Sequence, residues 1–498
     1  MTNIAAILLL IVSLLLPVSG YADDKHKPEE KKPIEASQGK TIYDSWCAQC
    51  HGYKGDADAY TKDVTLPLPR DFAFGVYKFR SSAPGEPPTD ADLTRIIRKG
   101  NPGTSMPPWE RFSDDEVKAI VQHVKTFAPD VFSSEAKSIK LDNPPKSTPE
   151  SIAKGKELFN MAKCVECHGK EGRGDGEKGW QADFKTDWGY RVAPANYTQG
   201  WELRNGSDLV DIYRTISAGL AGTPMTSYLD SLKDDERWSL AHFIKSLQLT
   251  RKLGVALKVK KVESLPVGTD DAKWKDVEYL DLPIGGQLMF EPRNFTSVIT
   301  NARVRGVYTP KEIAIMLEWT DKQPSKGADN IPQDSARIQF PVKLVDGAER
   351  PYFYMGSRKA PANLWQWKAS DDNKVVELIA KGFDLVESKE KTDISAVGTY
   401  TDGLYRVVFK RALNTGQEGS PAFMVGKFIP FSVTLFDGNN AEDGNKSAIS
   451  AWYFLMMEPP TPIKVYVMPP IAAILVFALG LVMANNTKKT RDQRKKKK

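Results

Sequence analysis

The sequence predicts a multidomain chain: two all-α units, one all-β sandwich domain and one C-terminal transmembrane helix. Three observations carry that prediction. A set of parts occurs twice between residues 37 and 250, alternating apolar runs broken by turn residues fill 270–460, and the charge-free stretch Val465 to Ala484 precedes a lysine-rich terminus. The 498 residues, 41% hydrophobic and 27% charged, exclude a disordered or collagen-like chain and a polytopic membrane protein. The formal net charge of +6 does not mark a nucleic-acid surface, because residues 488–498 alone carry +7 and leave −1 for the rest.

Residues 1–22 hold the apolar run Ile4 to Leu16, then Pro17 and small residues up to Ala22, before Asp23 and Asp24. This reads as a secretory signal cut after Ala22, with an uncleaved anchor as the alternative because no Lys or Arg precedes the run. Two units follow, at 37–128 and 150–250, separated by a Pro-containing linker. The first places Cys47, Cys50 and His51 ahead of Gly103-Thr104-Ser105-Met106-Pro107 and a helical segment from Asp114 to Phe127. The second places Cys164, Cys167 and His168 ahead of Gly222-Thr223-Pro224-Met225 and a helical segment from Asp234 to Leu247. Met106 lies 55 residues beyond His51, and Met225 lies 57 beyond His168, so the unit is duplicated.

The spacing has a chemical reason. Two thiols three residues apart on one helical turn can add to the two vinyl groups of a haem, and the following His lies under the iron. A Met thioether from a Gly/Pro-rich loop suits the sixth position, since it favours ferrous iron and raises the potential. A disulfide framework leaves the adjacent histidines unexplained, and a zinc site would have to form across the 117 residues between the pairs. Two covalent haem c groups are therefore expected, attached at Cys47, Cys50, Cys164 and Cys167, with His51 and Met106 on one iron and His168 and Met225 on the other. His123 and His242, at matching places in the last helix of each unit, are rival ligands; packing or a propionate contact suits them better. Arg80 and Arg204, after aromatic-rich runs, either hold a propionate or are solvated surface arginines. Both units resemble class I cytochrome c domains, short helices around one haem.

From 270 to 460 the periodicity changes to two. Ile313, Ile315, Leu317 and Trp319 share one face, as do Ile338, Phe340 and Val342. Further runs at 375–379, 404–409, 428–436 and 449–456 are separated by turns such as Asp402-Gly403 and Asp437-Gly438, the pattern of an antiparallel sandwich or barrel. No His occurs beyond residue 242, so imidazole cannot ligate a metal here. Arg303 to Tyr308 leading to Glu312–Trp319, Tyr354-Met355-Gly356, Asn363 to Ala369, Tyr405 to Arg411, Pro430 to Asn439 and Ser450 to Tyr453 are similar to the haem-b-binding domain of the ethylbenzene dehydrogenase γ-subunit family. That resemblance implies one non-covalent haem b held by Met and Lys, which by motif are Met355 and Lys410. Lys410 alternates in phase with Leu404 and Val408, which turns it inward and Arg411 outward, although Arg406 shares its face and Met424 competes with Met355. An amine must be neutral to bind iron, and burial lowers a Lys pKa in that direction.

The same resemblance implies partners: a molybdopterin catalytic subunit of the dimethyl-sulfoxide-reductase type and its iron–sulfur subunit, as in chlorate and selenate reductases and nitrite oxidoreductases. Every Cys is already used, so no iron–sulfur or molybdopterin site belongs to this chain. The expected function is that of a membrane-anchored triheme electron-transfer subunit, not a catalytic one. It would link the partner enzyme to the respiratory chain through small soluble cytochromes or a quinol-linked complex. The alternatives are a haem subunit of a quinol-oxidising cytochrome bc-like assembly, and a dihaem cytochrome c tethered to a haem-free interaction domain. Segment 465–484 is long enough to span a bilayer, with Pro469 and Pro470 expected in its first turn. The basic tail, 485–498, is expected in the cytoplasm and the domains on the periplasmic side.

Overall fold

The computed structural model describes residues 36–495, apart from 63, 64, 66, 288, 292, 294–298, 329, 345–350, 371 and 461–463; the expected signal segment lies outside the described residues. The first half repeats one four-helix plan. Unit 1 contains α1 (Ala36–Trp46), α2 (Ala48–His51), α3 (Asp90–Lys99) and α4 (Asp114–Lys125), and unit 2 contains α5 (Pro149–Met161), α6 (Val165–His168), α7 (Leu209–Ala218) and α8 (Asp234–Leu247). Helix starts follow from capping. Thr89 and Ser113 accept the Asp92 and Glu116 N–H groups, and Thr148 accepts that of Ser151 ahead of a Pro at the first helical position. In each unit the first helix crosses the last, α1 on α4 and α5 on α8. A Cβ on Gly39 would lie 2.2 Å from Ala119 O, and one on Gly155 would lie 2.0 Å from Ser239 O, so backbone contact sets both crossings.

The second half is a sandwich of thirteen strands among the described residues: β1 (Ala256–Lys261), β2 (Tyr279–Gly285), β3 (Asn301–Tyr308), β4 (Glu312–Thr320), β5 (Ser335–Pro341), β6 (Ala362–Lys368), β7 (Val375–Ala380), β8 (Val386–Ser388), β9 (Ser395–Thr401), β10 (Leu404–Ala412), β11 (Phe428–Phe436), β12 (Ala448–Ser450) and β13 (Tyr453–Met457). One layer runs β2-β3-β4-β10-β9 and the other β12-β11-β5-β6-β7-β8. Between them the Trp319 ring of β4 lies 6.3 Å from that of Trp367 on β6, amid a core that includes Ile315, Leu317, Ile338, Phe340 and Val433. The sheet starts earlier than 270. Strand β1 pairs parallel with β13 and β3, so the sandwich is not wholly antiparallel.

Alternation along β10 runs opposite to the sequence expectation. Tyr405, Val407 and Phe409 join the central core, and Arg411 beside them is 1% exposed. Its guanidinium donates to the carbonyls of Ala412, Leu413 and Pro421 and lies over the Phe423 ring at 4.5 Å. Lys410 faces away from the core, where its ammonium donates to Val267 O at 2.8 Å. Three carbonyls take the Nε and one terminal nitrogen of this buried guanidinium while its other terminal nitrogen has no partner, so charge alone did not decide which of the two neighbours points in.

The three units touch. Arg95 donates to Asn205 Oδ1 at 2.7 Å, and Arg80 to Ala218 O at 3.3 Å, joining units 1 and 2. Arg173 donates to Asp402 O, Thr300 to Glu202, and Lys322 to Pro194 O at 3.0 Å, joining unit 2 to the sandwich. Helix α9 (Lys464–Lys495) begins one residue before the expected span, and Pro469 and Pro470 lie in its second turn and not, as expected, in its first. It is long and apolar enough to cross a membrane, with mean hydropathy 2.4 and none of its apolar window buried.

Candidate haem-binding sites

Each one-turn helix delivers its histidine the same way. His51 N–H donates to Cys47 O and His168 N–H to Cys164 O, both at 2.9 Å, and Gly52 and Gly169 end the turns at φ of 75° and 76°. The imidazoles are then oriented by carbonyls: His51 Nδ1 lies 2.9 Å from Arg70 O, and His168 Nδ1 lies 3.1 Å from Ala195 O. A carbonyl can only accept, so Nδ1 carries the proton in both rings and Nε2 keeps its lone pair for a metal. Burial lowers the His51 pKa and brings that of His168 down to about 4, which keeps both rings neutral. His51 stacks on Phe72 at 4.5 Å, and His168 on Tyr197 at 4.3 Å, with the Tyr197 hydroxyl 3.0 Å from His168 Nε2. None of the four cysteines is paired in a disulfide, and burial pushes the Cys47 thiol up to about 12 and that of Cys164 to about 11.

The methionine loops repeat bond for bond. Thr104 Oγ1 accepts the Met106 N–H at 3.1 Å and donates to Asn101 O at 2.7 Å; Thr223 Oγ1 accepts the Met225 N–H at 3.2 Å and donates to Leu220 O at 2.7 Å. Asn101 N–H returns to Met106 O and Leu220 N–H to Met225 O. Both loops are thus closed by their own backbone and threonine, which holds the backbone at each methionine.

Unit 2, the adjoining part of unit 1 and the edge of the sandwich surround a cavity of about 1050 Å³, lined by Cys164, Cys167, His168 and Met225 together with Arg70, Lys78, Arg204 and Lys322. Burial lowers these cations, Arg70 to about 10 and Lys78 and Lys322 to about 8. Trp188 Nε1 and Arg251 Nε on the wall are buried without partners. Apolar walls, two thiols, a neutral imidazole, a thioether and a cationic rim fit a haem with its two propionates. The rim was only partly legible: Arg204 lines the cavity as expected of a propionate partner, whereas Arg80 is turned to carbonyls between the units. Arg70, Lys322, Tyr197 and Trp188 carry no motif and were missed.

Of the rival histidines, His242 has both ring nitrogens engaged, whereas His123 Nε2 is buried without a hydrogen-bond partner. His242 has Nδ1 2.8 Å from Ser151 Oγ and Nε2 3.1 Å from Pro145 O, and His123 packs edge-on against Tyr43 and Phe127 at 5.1 and 5.0 Å. The structure does not bring Met355 and Lys410 together. Met355 is buried with Ala362, Leu364 and Ala380 on the outer side of the β5–β7 layer, where its N–H donates to Gln339 Oε1 at 3.0 Å. Lys410 lies on the outer side of the other layer, beyond the whole core. Met424 is 50% exposed.

Three family models match separate parts of the chain. The cytochrome c family model matches residues 152–248, that of cytochrome c oxidase, cbb3-type, subunit III matches 35–124, and that of ethylbenzene dehydrogenase matches 271–387. A protein of Haloferax mediterranei described as a respiratory nitrate reductase heme subunit is 25% identical over 223 residues, 44% of this chain and 77% of that protein. The chlorate reductase subunit gamma of Ideonella dechloratans is 25% identical over 163 residues, 32% of this chain and 66% of that subunit. A chain of the Kuenenia stuttgartiensis reducing HAO-like protein complex is 35% identical, covering 44% of this chain and 100% of that one, with a TM-score of 0.42. The chain is a multidomain electron-transport protein in which a cytochrome c region, implying covalent haem c, precedes a β-sheet-rich, ethylbenzene dehydrogenase γ-like domain.

Proposed function

Starting from cytochrome c domains joined to an ethylbenzene dehydrogenase γ-like domain, we propose that this chain is the haem subunit of a molybdopterin oxidoreductase complex of the nitrate, chlorate or nitrite oxidoreductase kind. It carries electrons between the catalytic and iron–sulfur subunits and the respiratory chain. The observation that carries the reading is the repeated geometry of a carbonyl-oriented histidine following two thiols and a threonine-locked methionine. Bound haem supplies a one-electron iron couple. The chain's own residues do the rest. Cys47, Cys50, Cys164 and Cys167 would hold the two haems, His51 with Met106 and His168 with Met225 would keep outside ligands from the irons, and Arg70, Lys78 and Arg204 would balance propionate charge.

For the haem b that the γ-like domain suggests, Met355 is retained as one ligand and Lys446 replaces Lys410. Lys446 follows Asn445, whose carbonyl accepts the Tyr354 hydroxyl, so its backbone is tied to the residue next to Met355. Helix α9 is the membrane anchor, with its basic tail in the cytoplasm and the haem domains on the periplasmic side. Purification from native membranes tests the proposal. A pyridine hemochrome ratio of two c to one b, with co-eluting molybdenum and iron–sulfur subunits, is expected; absence of b haem, or of any molybdenum protein, overturns it.

A further inference from the structure

Three strands end at one rim of the sandwich, and each is flanked there by an aspartate: Asp321 after β4, Asp334 before β5 and Asp437 after β11. They are 1%, 0% and 4% exposed, and one carboxylate oxygen of each lies within 4.8 Å of the others. Asp334 receives the Ser325 and Gly438 N–H groups and the Tyr405 hydroxyl, and Asp437 receives the Asn439 and Asn440 N–H groups and the Asn440 side chain. Asp321 is different. Its Oδ1 takes the Gln323 N–H at 3.0 Å, while its Oδ2 is buried with no partner at all. The cation next along the chain, Lys322, directs its ammonium to Pro194 O instead. Three buried carboxylates with one open oxygen ask for a positive charge or for shared protons.

We propose that Asp321, Asp334 and Asp437 form a binding site for a hard divalent cation of calcium size. The donors are all oxygen, which excludes the soft metals. Calcium accepts several protein oxygens in irregular geometry, whereas magnesium holds a strict octahedron and keeps several of its waters, for which three carboxylates this deeply buried leave little room. The ion would fix the Asp321–Asp334 loop, from which Lys322 reaches Pro194 O, one residue before the carbonyl that orients His168.

The test uses the full-length, haem-loaded protein in detergent. After chelation and gel filtration, added calcium should raise the melting temperature and added magnesium should not. Terbium should luminesce on excitation of Tyr405 and neighbouring aromatics and be displaced by calcium. Asp321→Asn should abolish both responses; if that variant does not fold, the chelation and refilling of the wild type decides. In the proton-sharing alternative the carboxyls keep pKa values raised by burial, Asp334 about 6 and Glu442 beside them about 8. The folded state then holds more protons than the unfolded one, so stability falls as pH rises through that window. That pH trend with no calcium or terbium response overturns the proposal, as does an equal response to magnesium.

Discussion

Lys410 and Arg411 are neighbours in sequence and stand on opposite faces of β10, and the difference decides which residues can reach a b haem. Period-two alternation was legible, but it assigns two faces without saying which is inside. The deciding fact is tertiary: carbonyls of Ala412, Leu413 and Pro421 surround the Arg411 guanidinium, and nothing local in the sequence announces them. The shared face of Arg406 was the available hint, since Arg406 pairs with Glu318 on the outer side. The two Cys-Cys-His turns were legible as a pattern because covalent attachment of a haem would force those residues onto one helical turn; the carbonyls that orient the histidines, Arg70 O and Ala195 O, were not, because a backbone acceptor leaves no residue signature. It follows that Lys410→Gln should leave the b-type absorption of the purified protein intact, while Lys446→Gln and Met355→Ala should each remove it or convert it to a high-spin form. Loss of the b spectrum in Lys410→Gln alone would restore the original pair.

Two glycines govern the cytochrome units at the scale of elements. Gly39 and Gly155 lie eight and nine residues before the first Cys of their motifs, and each lets the first helix of its unit rest on the carbonyl of the last. The duplication was legible in motif spacing; the crossing glycines were not, because a glycine within a helical stretch reads only as a weak helix former. Strand β1 was missed for a related reason, since Lys258, Lys260 and Lys261 mask the two inward residues, Leu257 and Val259. Gly155→Ala places a methyl carbon only 2.0 Å from Ser239 O, so α5 and α8 must separate at a cost of roughly 1–3 kcal/mol. Thermal unfolding should show that loss, with weakened haem c signal from unit 2 only. Gly268→Ala, where nothing lies within 4 Å of the added carbon, serves as the control and should leave the melting temperature unchanged.

At the scale of the whole molecule, contacts from Arg95 to Asn205 and from Lys322 to Pro194 join three separately cored units into one body, and α9 stands apart from it. Its apolar side chains, among them Ile474, Phe477 and Val482, are 67%, 70% and 56% exposed, whereas the large side chains of the haem units and the sandwich are mostly inside. An apolar surface of that length left in water loses roughly 25 cal/mol for every Å² not covered, which a bilayer core removes. The helix contributes no residue to either cytochrome core or to the sandwich core. Ending the chain after Pro460 should therefore give a protein that partitions into buffer without detergent and keeps the c-type and b-type absorption of the full-length form. Fractionation of cells expressing both forms, followed by difference spectra of each fraction, measures this directly. If the shortened protein still sediments with membranes, attachment resides in the N-terminal segment or in a partner subunit; if it is soluble but colourless, α9 supports the haem sites in a way its exposure does not suggest.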